Sequence, residues 1–323
     1  MDSFLFSRNK RQKRKGVDKI FKKRCIAKYK LFKDKKMNFK KLHGIIIAIP
    51  TPLLSNEDID IVSLNNLIEF CISEGANGIM IAGTMGEGPS LIDSQKQILI
   101  ENAVRIAAGR IPVLATTSAS STRKSVENVK ALNKSGADYI VCTAPFYYKY
   151  PDPASVLVHF KKLAAVTEVP LIFYNASGFT GNEVDIDTTE KILNMQEVAG
   201  IKDSSGNFRN FMELLRRYPD KENRPGTIMQ GDESLFDVSL LMGADGIISG
   251  GGVTCIHLLS KILQAASLDN KLKSFEYQQK FTSELTKLLF PDVQRNWMFN
   301  IKNRLVEMEI IQNNCVTTPF LAH

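Results

Sequence analysis

Lys202 and Tyr174 are the two residues in this chain whose types and settings suit joint chemistry. Lys202 closes the apolar run Val198-Ala199-Gly200-Ile201 and precedes the polar turn Asp203-Ser204-Ser205-Gly206-Asn207. Tyr174 closes an earlier run, Pro170-Leu171-Ile172-Phe173, just before Asn175. Both read as the carboxyl ends of buried parallel strands. Burial of an amine disfavours its charged form. A neutral amine beside a tyrosine hydroxyl is equipped to attack a ketone and form a Schiff base. The pair reads as the centre of an enzyme.

The elements that must position this pair are legible from His43 onward, where short apolar runs alternate with amphipathic stretches. The spacing predicts strands at 44–49, 78–82, 112–116, 139–143, 171–174, 198–202, 227–230 and 246–249. Each is short, apolar on both faces and flanked by Gly or Pro, as parallel strands covered by helices should be. Helical spacing follows, with Leu64, Leu67, Ile68, Cys71 and Ile72 on one face and Val126, Val129 and Leu132 on another. Ser135-Gly-Ala-Asp138 and Met242-Gly-Ala-Asp245 read as helix ends that lead into the next strand. Eight strand–helix units over about 225 residues predict a (β/α)8 TIM barrel in the α/β class. An open doubly wound sheet fits less well. It would carry a glycine-rich ligand loop after its first strand, where this chain has Ile49-Pro50-Thr51-Pro52-Leu53. The expected division is a basic extension over 1–36, the barrel over 37–269 and a helical extension over 270–323, with amphipathic helices near 273–290 and 293–311.

Catalytic groups of such a barrel sit at the carboxyl ends of its strands. That rule selects Gly83-Thr84-Met85-Gly86-Glu87, Ala144-Pro145-Phe146-Tyr147-Tyr148, Tyr174, Lys202, Gly231-Asp232-Glu233 and Gly250-Gly251-Gly252. A tight glycine turn with successive N–H groups suits a carboxylate. Glu87 reads as a buried carboxylate holding that turn through backbone N–H groups. The glycines after the eighth strand, beside Ser249, read as backbone room for a bound keto acid, with a phosphate corner as the alternative. His43, His159, His257 and His323 do not cluster and receive no role.

In this order, G-T-M-G-E, P-F-Y-Y, Y-N followed by T-G, and G-I-K-D-S-S-G resemble the pyruvate-dependent class I aldolases, the family of dihydrodipicolinate synthase and N-acetylneuraminate lyase. The resemblance runs from about His43 to Phe320. It implies a barrel without metal or organic cofactor, assembled as a homotetramer and acting on pyruvate or another 2-oxo acid. It implies Lys202 as the Schiff-base lysine and Tyr174 as the proton-shuttling tyrosine. Thr84 would bind the pyruvate carboxylate and link to Tyr174, and Tyr147 would be lent across a subunit interface to complete a hydroxyl relay.

Departures from the family pattern bear on the substrate. Phe179 stands where the synthase pattern has an arginine for the second substrate's carboxylate, and a phenyl ring makes no bidentate carboxylate contact. Met85 replaces a threonine, removing a hydroxyl from the carboxylate pocket but keeping its N–H. Ser177 stands where proline is usual. The acidic neighbours of the sialic-acid pattern become Glu233-Ser234. These changes favour a hydroxylated 2-oxo-3-deoxy sugar acid or an N-acetylneuraminate-like substrate, met by Gly231, Glu233, Ser234 and Ser249. The alternative is 4-hydroxy-tetrahydrodipicolinate synthesis from pyruvate and aspartate semialdehyde. A reading from another class is a non-catalytic barrel serving as ligand sensor or scaffold.

Charge and cysteine content narrow the class. The 323 residues carry a formal charge of +8. Residues 1–36 hold 15 Lys and Arg against Asp2, Asp18 and Asp34, which leaves 27 basic and 31 acidic residues from Met37 onward. The body is thus mildly acidic. The basic segment is expected to be an unstructured extension, ahead of a targeting peptide or an arm for nucleic acid or anionic membrane. Met37, where ordered patterning begins, is then the expected start. No apolar stretch approaches the roughly 20 residues of a membrane helix. Five scattered cysteines argue against a disulfide framework or a zinc site and fit a reducing cytoplasm.

Overall fold

The eight apolar runs become eight strands: β1 (Gly44–Ala48), β2 (Gly78–Ile81), β3 (Val113–Thr117), β4 (Tyr139–Thr143), β5 (Leu171–Asn175), β6 (Val198–Asp203), β7 (Thr227–Gln230) and β8 (Gly246–Ser249). The structure, a computed structural model, describes residues 39–289 and 297–320. All eight strands pair in parallel, each with the next, and β8 closes on β1. Every strand residue is buried, which is why these segments read as continuous apolar runs rather than alternating ones.

The intervening helices are α1 (Ile61–Ser73), α2 (Asp93–Ala107), α3 (Thr122–Leu132), α4 (Ala154–Ala164), the single turn α5 (Ser177–Thr180), α6 (Ile186–Leu193), α7 (Phe208–Arg217), α8 (Phe236–Leu241) and α9 (Ile256–Ser267). Two more follow, α10 (Lys271–Leu289) and α11 (Trp297–Glu307). The barrel and its appended helices match the expected fold. The expected basic extension over 1–36 lies outside the described residues. Among these, no helix is long and apolar enough to cross a membrane.

A recurring Gly-Ala-Asx sequence closes the amino-terminal end of the barrel. Gly75, Gly136 and Gly243 each adopt positive φ after a helix, the left-handed conformation glycine takes without a Cβ penalty. The Asx two residues later then bonds the strand before it. Asn77 Oδ1 accepts from the Ile45 N–H at 2.8 Å, Asp138 Oδ2 from Val113 at 2.8 Å and Asp245 Oδ2 from Ile228 at 2.7 Å. One tripeptide thus ends a helix and fixes the register of a strand pair.

Boundary differences have local causes. β3 begins at Val113 because Pro112 has no N–H to give; its carbonyl accepts from Ile79 instead. β5 and β6 each run one residue further than expected because Asn175 and Asp203 pair in register. α10 starts at Lys271, with the Asn270 side chain accepting from the Lys273 N–H. α11 ends at Glu307, short of the expected 311, and gives way to a turn in which Glu309 has φ +60°.

Strand alternation aims the key side chains. Phe173 faces outward, its ring meeting fully buried Phe160 of α4 edge-on at 4.8 Å. Its neighbour Tyr174 must therefore face the barrel interior. Each such buried phenyl ring contributes about 2–3 kcal/mol, so packing on the outer face fixes what the inner face presents.

Candidate active site

Tyr174 and Lys202 are direct register partners on adjacent strands β5 and β6. Both are buried, and Lys202 Nζ lies over the Tyr174 ring, 4.5 Å from its centroid. Among the described residues, the Lys202 amine has no hydrogen bond and no ion pair. Directly beyond them, the second register pair is polar. Asn175 Nδ2 donates to Asp203 Oδ2 at 2.9 Å, and Asp203 Oδ1 accepts from the Ser205 N–H and hydroxyl at 2.9 and 2.7 Å. Burial raises the Asp203 pKa, and these hydrogen bonds oppose the shift. Sequence reasoning gave Asn175 and Asp203 no role, although each adjoins a catalytic candidate. It also passed over Thr116 and Ser204. Thr116 Oγ1, Asn175 Oδ1 and Ser204 Oγ are buried without a hydrogen-bond partner among the described residues.

The turn after β2 is tightly wound. The Glu87 N–H donates to the Thr84 carbonyl at 3.1 Å and the Gly88 N–H to the Gly83 carbonyl at 2.9 Å. The Thr51 hydroxyl donates to the Gly86 carbonyl at 2.6 Å. The Thr84 and Met85 N–H groups donate to no acceptor among the described residues. Met85 is buried, and its methyl carbon lies 3.0 Å from where a Cβ at Gly250 would sit. A larger residue at Gly250 would push Met85 into the turn.

Glu87 is buried as expected, but the N–H group it holds is not in its own turn. Its Oε2 accepts from the Thr317 N–H at 2.6 Å and the Thr317 hydroxyl at 2.8 Å. Its Oε1 pairs with Lys302 Nζ at 2.5 Å, both side chains fully buried.

Tyr147 stands apart from the other candidates within one chain. It is 80% exposed, its φ is +82°, and its ring meets that of Tyr148 edge-on at 4.9 Å. A bulky residue in that backbone region is strained and persists only when its surroundings hold it there. The holder is Asn182, another residue sequence reasoning missed. Its Nδ2 donates to the Pro145 and Tyr148 carbonyls, both at 2.9 Å, and its Oδ1 accepts from the Tyr150 N–H at 2.7 Å. Among the described residues, no hydrogen bond joins the hydroxyls of Tyr174, Thr84 and Tyr147, so the expected relay is not closed within the single chain.

The β7 and β8 ends are tied to each other. Glu233 Oε1 accepts from the Ser249 hydroxyl at 2.5 Å and the Gly252 N–H at 3.2 Å, and Ser249 Oγ accepts from Gly252 at 3.0 Å. Ser249 is fully buried. Gly231 has no room for a side chain, since a Cβ there would lie 2.0 Å from Ser204 Oγ. The Ser234 hydroxyl donates to Asp232 Oδ1 at 2.7 Å. Ser234 also lines an outer cavity of about 560 Å³ with Phe275, Gln278 and Thr282 of α10; this cavity includes neither Lys202 nor Tyr174. Phe179, in α5, is 61% exposed.

Comparison with known proteins identifies the family. The model of the dihydrodipicolinate synthetase family matches residues 41–323. The chain belongs to that family. With it comes the class I aldolase chemistry of a Schiff-base lysine. A 4-hydroxy-tetrahydrodipicolinate synthase from Oceanobacillus iheyensis is 36% identical over 213 residues, covering 66% of this chain and 70% of the relative. One from Nitrosomonas europaea is 35% identical, covering 69% and 75%. Among solved structures, the chloride-inhibited dihydrodipicolinate synthase of Acinetobacter baumannii complexed with pyruvate superposes with a TM-score of 0.79 at 30% identity, over 87% of this chain and 93% of the other. The Bacteroides thetaiotaomicron dihydrodipicolinate synthase gives 0.81 at 29%, over 89% and 95%. These names favour the condensation expected as the alternative over the sugar-acid cleavage drawn from the motif departures.

Proposed function

We propose that this chain forms a Schiff base between Lys202 and pyruvate and condenses it with aspartate semialdehyde, the 4-hydroxy-tetrahydrodipicolinate synthase reaction. The observation that carries the proposal is a buried amine with no partner, among the described residues, but the ring of Tyr174. The Lys202 nitrogen attacks C2 of pyruvate, and loss of water leaves the imine. The Thr84 and Met85 N–H groups receive the carboxylate. The protonated imine acts as electron sink while a C3 proton leaves, and the resulting enamine carbon attacks the aldehyde. Tyr174, with Thr84 and Tyr147, moves the protons.

The relay needs a second subunit, because Tyr147 projects into solvent from its own chain. The assembly proposed is a homotetramer in which Tyr147 reaches a neighbouring site. The four described cysteines are free thiols, which supports a reducing, cytoplasmic setting.

Phe179 favours a second reading, cleavage of a hydroxylated 2-oxo-3-deoxy acid to release pyruvate. There the β7 end, with Gly231 and Glu233, would meet substrate hydroxyls, Ser249 holding Glu233 from behind and Ser234 turned to the outer cavity. One assay separates the two. Condensation of pyruvate with aspartate semialdehyde is measured beside pyruvate release from 2-oxo-3-deoxy sugar acids and sialic acid. The first reading expects the condensation to have the higher kcat/KM. Release from a sugar acid at a higher kcat/KM would overturn it in favour of the second.

A further inference from the structure

Glu87 links two regions 230 residues apart, and one of them is the turn that receives the substrate. Its backbone has φ +55°, a conformation that costs a non-glycine residue energy and is kept only where contacts impose it. The contacts here are the ion pair to fully buried Lys302 of α11 and two hydrogen bonds from Thr317. Lys302 Nζ also donates to the Cys315 carbonyl at 2.5 Å. The same terminal segment is tied down at a second place, where the Thr318 N–H donates to Glu57 Oε1 at 3.0 Å. The adjacent residue Gly86 is held as well, its carbonyl accepting from the Thr51 hydroxyl. Thr84 and Met85, whose N–H groups meet no acceptor among the described residues, immediately precede these two restrained positions.

We propose that Glu87, Lys302 and Thr317 form a positioning clamp through which α11 and the segment after it set the aim of the Thr84 and Met85 N–H groups. Glu87 acts on pyruvate only through the turn. Loss of a clamp contact loosens the turn and weakens carboxylate binding, while the chemistry at Lys202 proceeds at its normal limiting rate. The proposal rests on the Schiff-base reading above.

The test uses the 323-residue chain and its Thr317→Val variant, which removes one hydroxyl donor and keeps the N–H and the buried ion pair. Borohydride trapping is followed against pyruvate concentration, and hydrogen exchange is followed over residues 83–88. The expected result is a threefold to tenfold rise in half-saturating pyruvate, the size of one hydrogen bond's net contribution. The limiting trapping rate stays unchanged, exchange over 83–88 is faster, and exchange in β6 is as in wild type. Thr317→Ser restores both readouts. Unchanged half-saturation in Thr317→Val overturns the clamp. If wild-type protein traps no pyruvate, the Schiff-base reading falls instead. Exchange at 83–88 then decides alone, and a rate equal to wild type in Thr317→Val overturns the clamp.

Discussion

Lys202 and Lys302 are both buried lysines, and the molecule treats them in opposite ways. Lys302 is fully enclosed between a carboxylate and a carbonyl, Glu87 and Cys315. Burial lowers its pKa, and the Glu87 charge opposes that shift. Its amine is committed to holding backbone in place. Lys202 has an aromatic face beside it and no acceptor or anion among the described residues. An amine with no fixed partner is available to a carbonyl carbon; an amine locked between two oxygens is not. The difference lies in the neighbours each strand or helix brings, not in burial itself.

Substitutions should pull these roles apart. Lys202→Ala is expected to eliminate turnover while leaving the thermal unfolding midpoint within a few degrees of wild type, measured by activity and circular dichroism. Lys302→Met should spare the limiting rate, raise half-saturating pyruvate and cost stability. It leaves Glu87 buried and unpaired and lowers stability by about 3–5 kcal/mol in denaturant unfolding. Glu87→Gln with Lys302→Met should recover part of that loss, because the remaining groups are neutral.

His159 offers a third case, a buried base with one hydroxyl partner, Thr122 Oγ1 at 3.0 Å. Burial pushes its pKa down to about 4 from 6.5. The unfolded chain therefore binds a proton below pH 6.5 that the folded chain refuses until about pH 4. Stability should fall as pH drops through that window, by up to about 3 kcal/mol. His159→Gln should flatten that part of the pH–stability curve.

Tyr174→Phe sharpens the account of Lys202. It keeps the ring under the amine and removes only the hydroxyl, so kcat should fall about a hundredfold with the fold intact. Phe179→Arg should give the smallest change, a roughly tenfold rise in kcat/KM for aspartate semialdehyde if the guanidinium grips its carboxylate. An unchanged value would show that this face of the mouth does not meet the aldehyde.

The contrast between the two lysines also marks how far the sequence is legible. Lys202 and Tyr174 could be placed because each ends an apolar run, and strand alternation then dictates which way each points. The barrel was legible for the same reason, helped by the glycines before Ala137-Asp138 and Ala244-Asp245. Lys302 gave no such signal. It sits within an amphipathic stretch, and its partner lies in a turn that pairs with it only once the barrel has closed. The Glu233–Ser249 bond and the hold of Asn182 on the Tyr147 loop were hidden likewise. Periodicity shows which face a residue occupies, but a partner far along the chain is set by tertiary packing. Phe179 pointed toward a sugar acid because one substituted contact says what is missing, not what replaces it.

Protein incubated with pyruvate and borohydride, then digested and mapped by mass spectrometry, should carry the reduced pyruvate adduct on the peptide holding Lys202, with Lys302 unmodified. Absence of the adduct, or its appearance at another lysine while Lys202 stays free, would contradict the account.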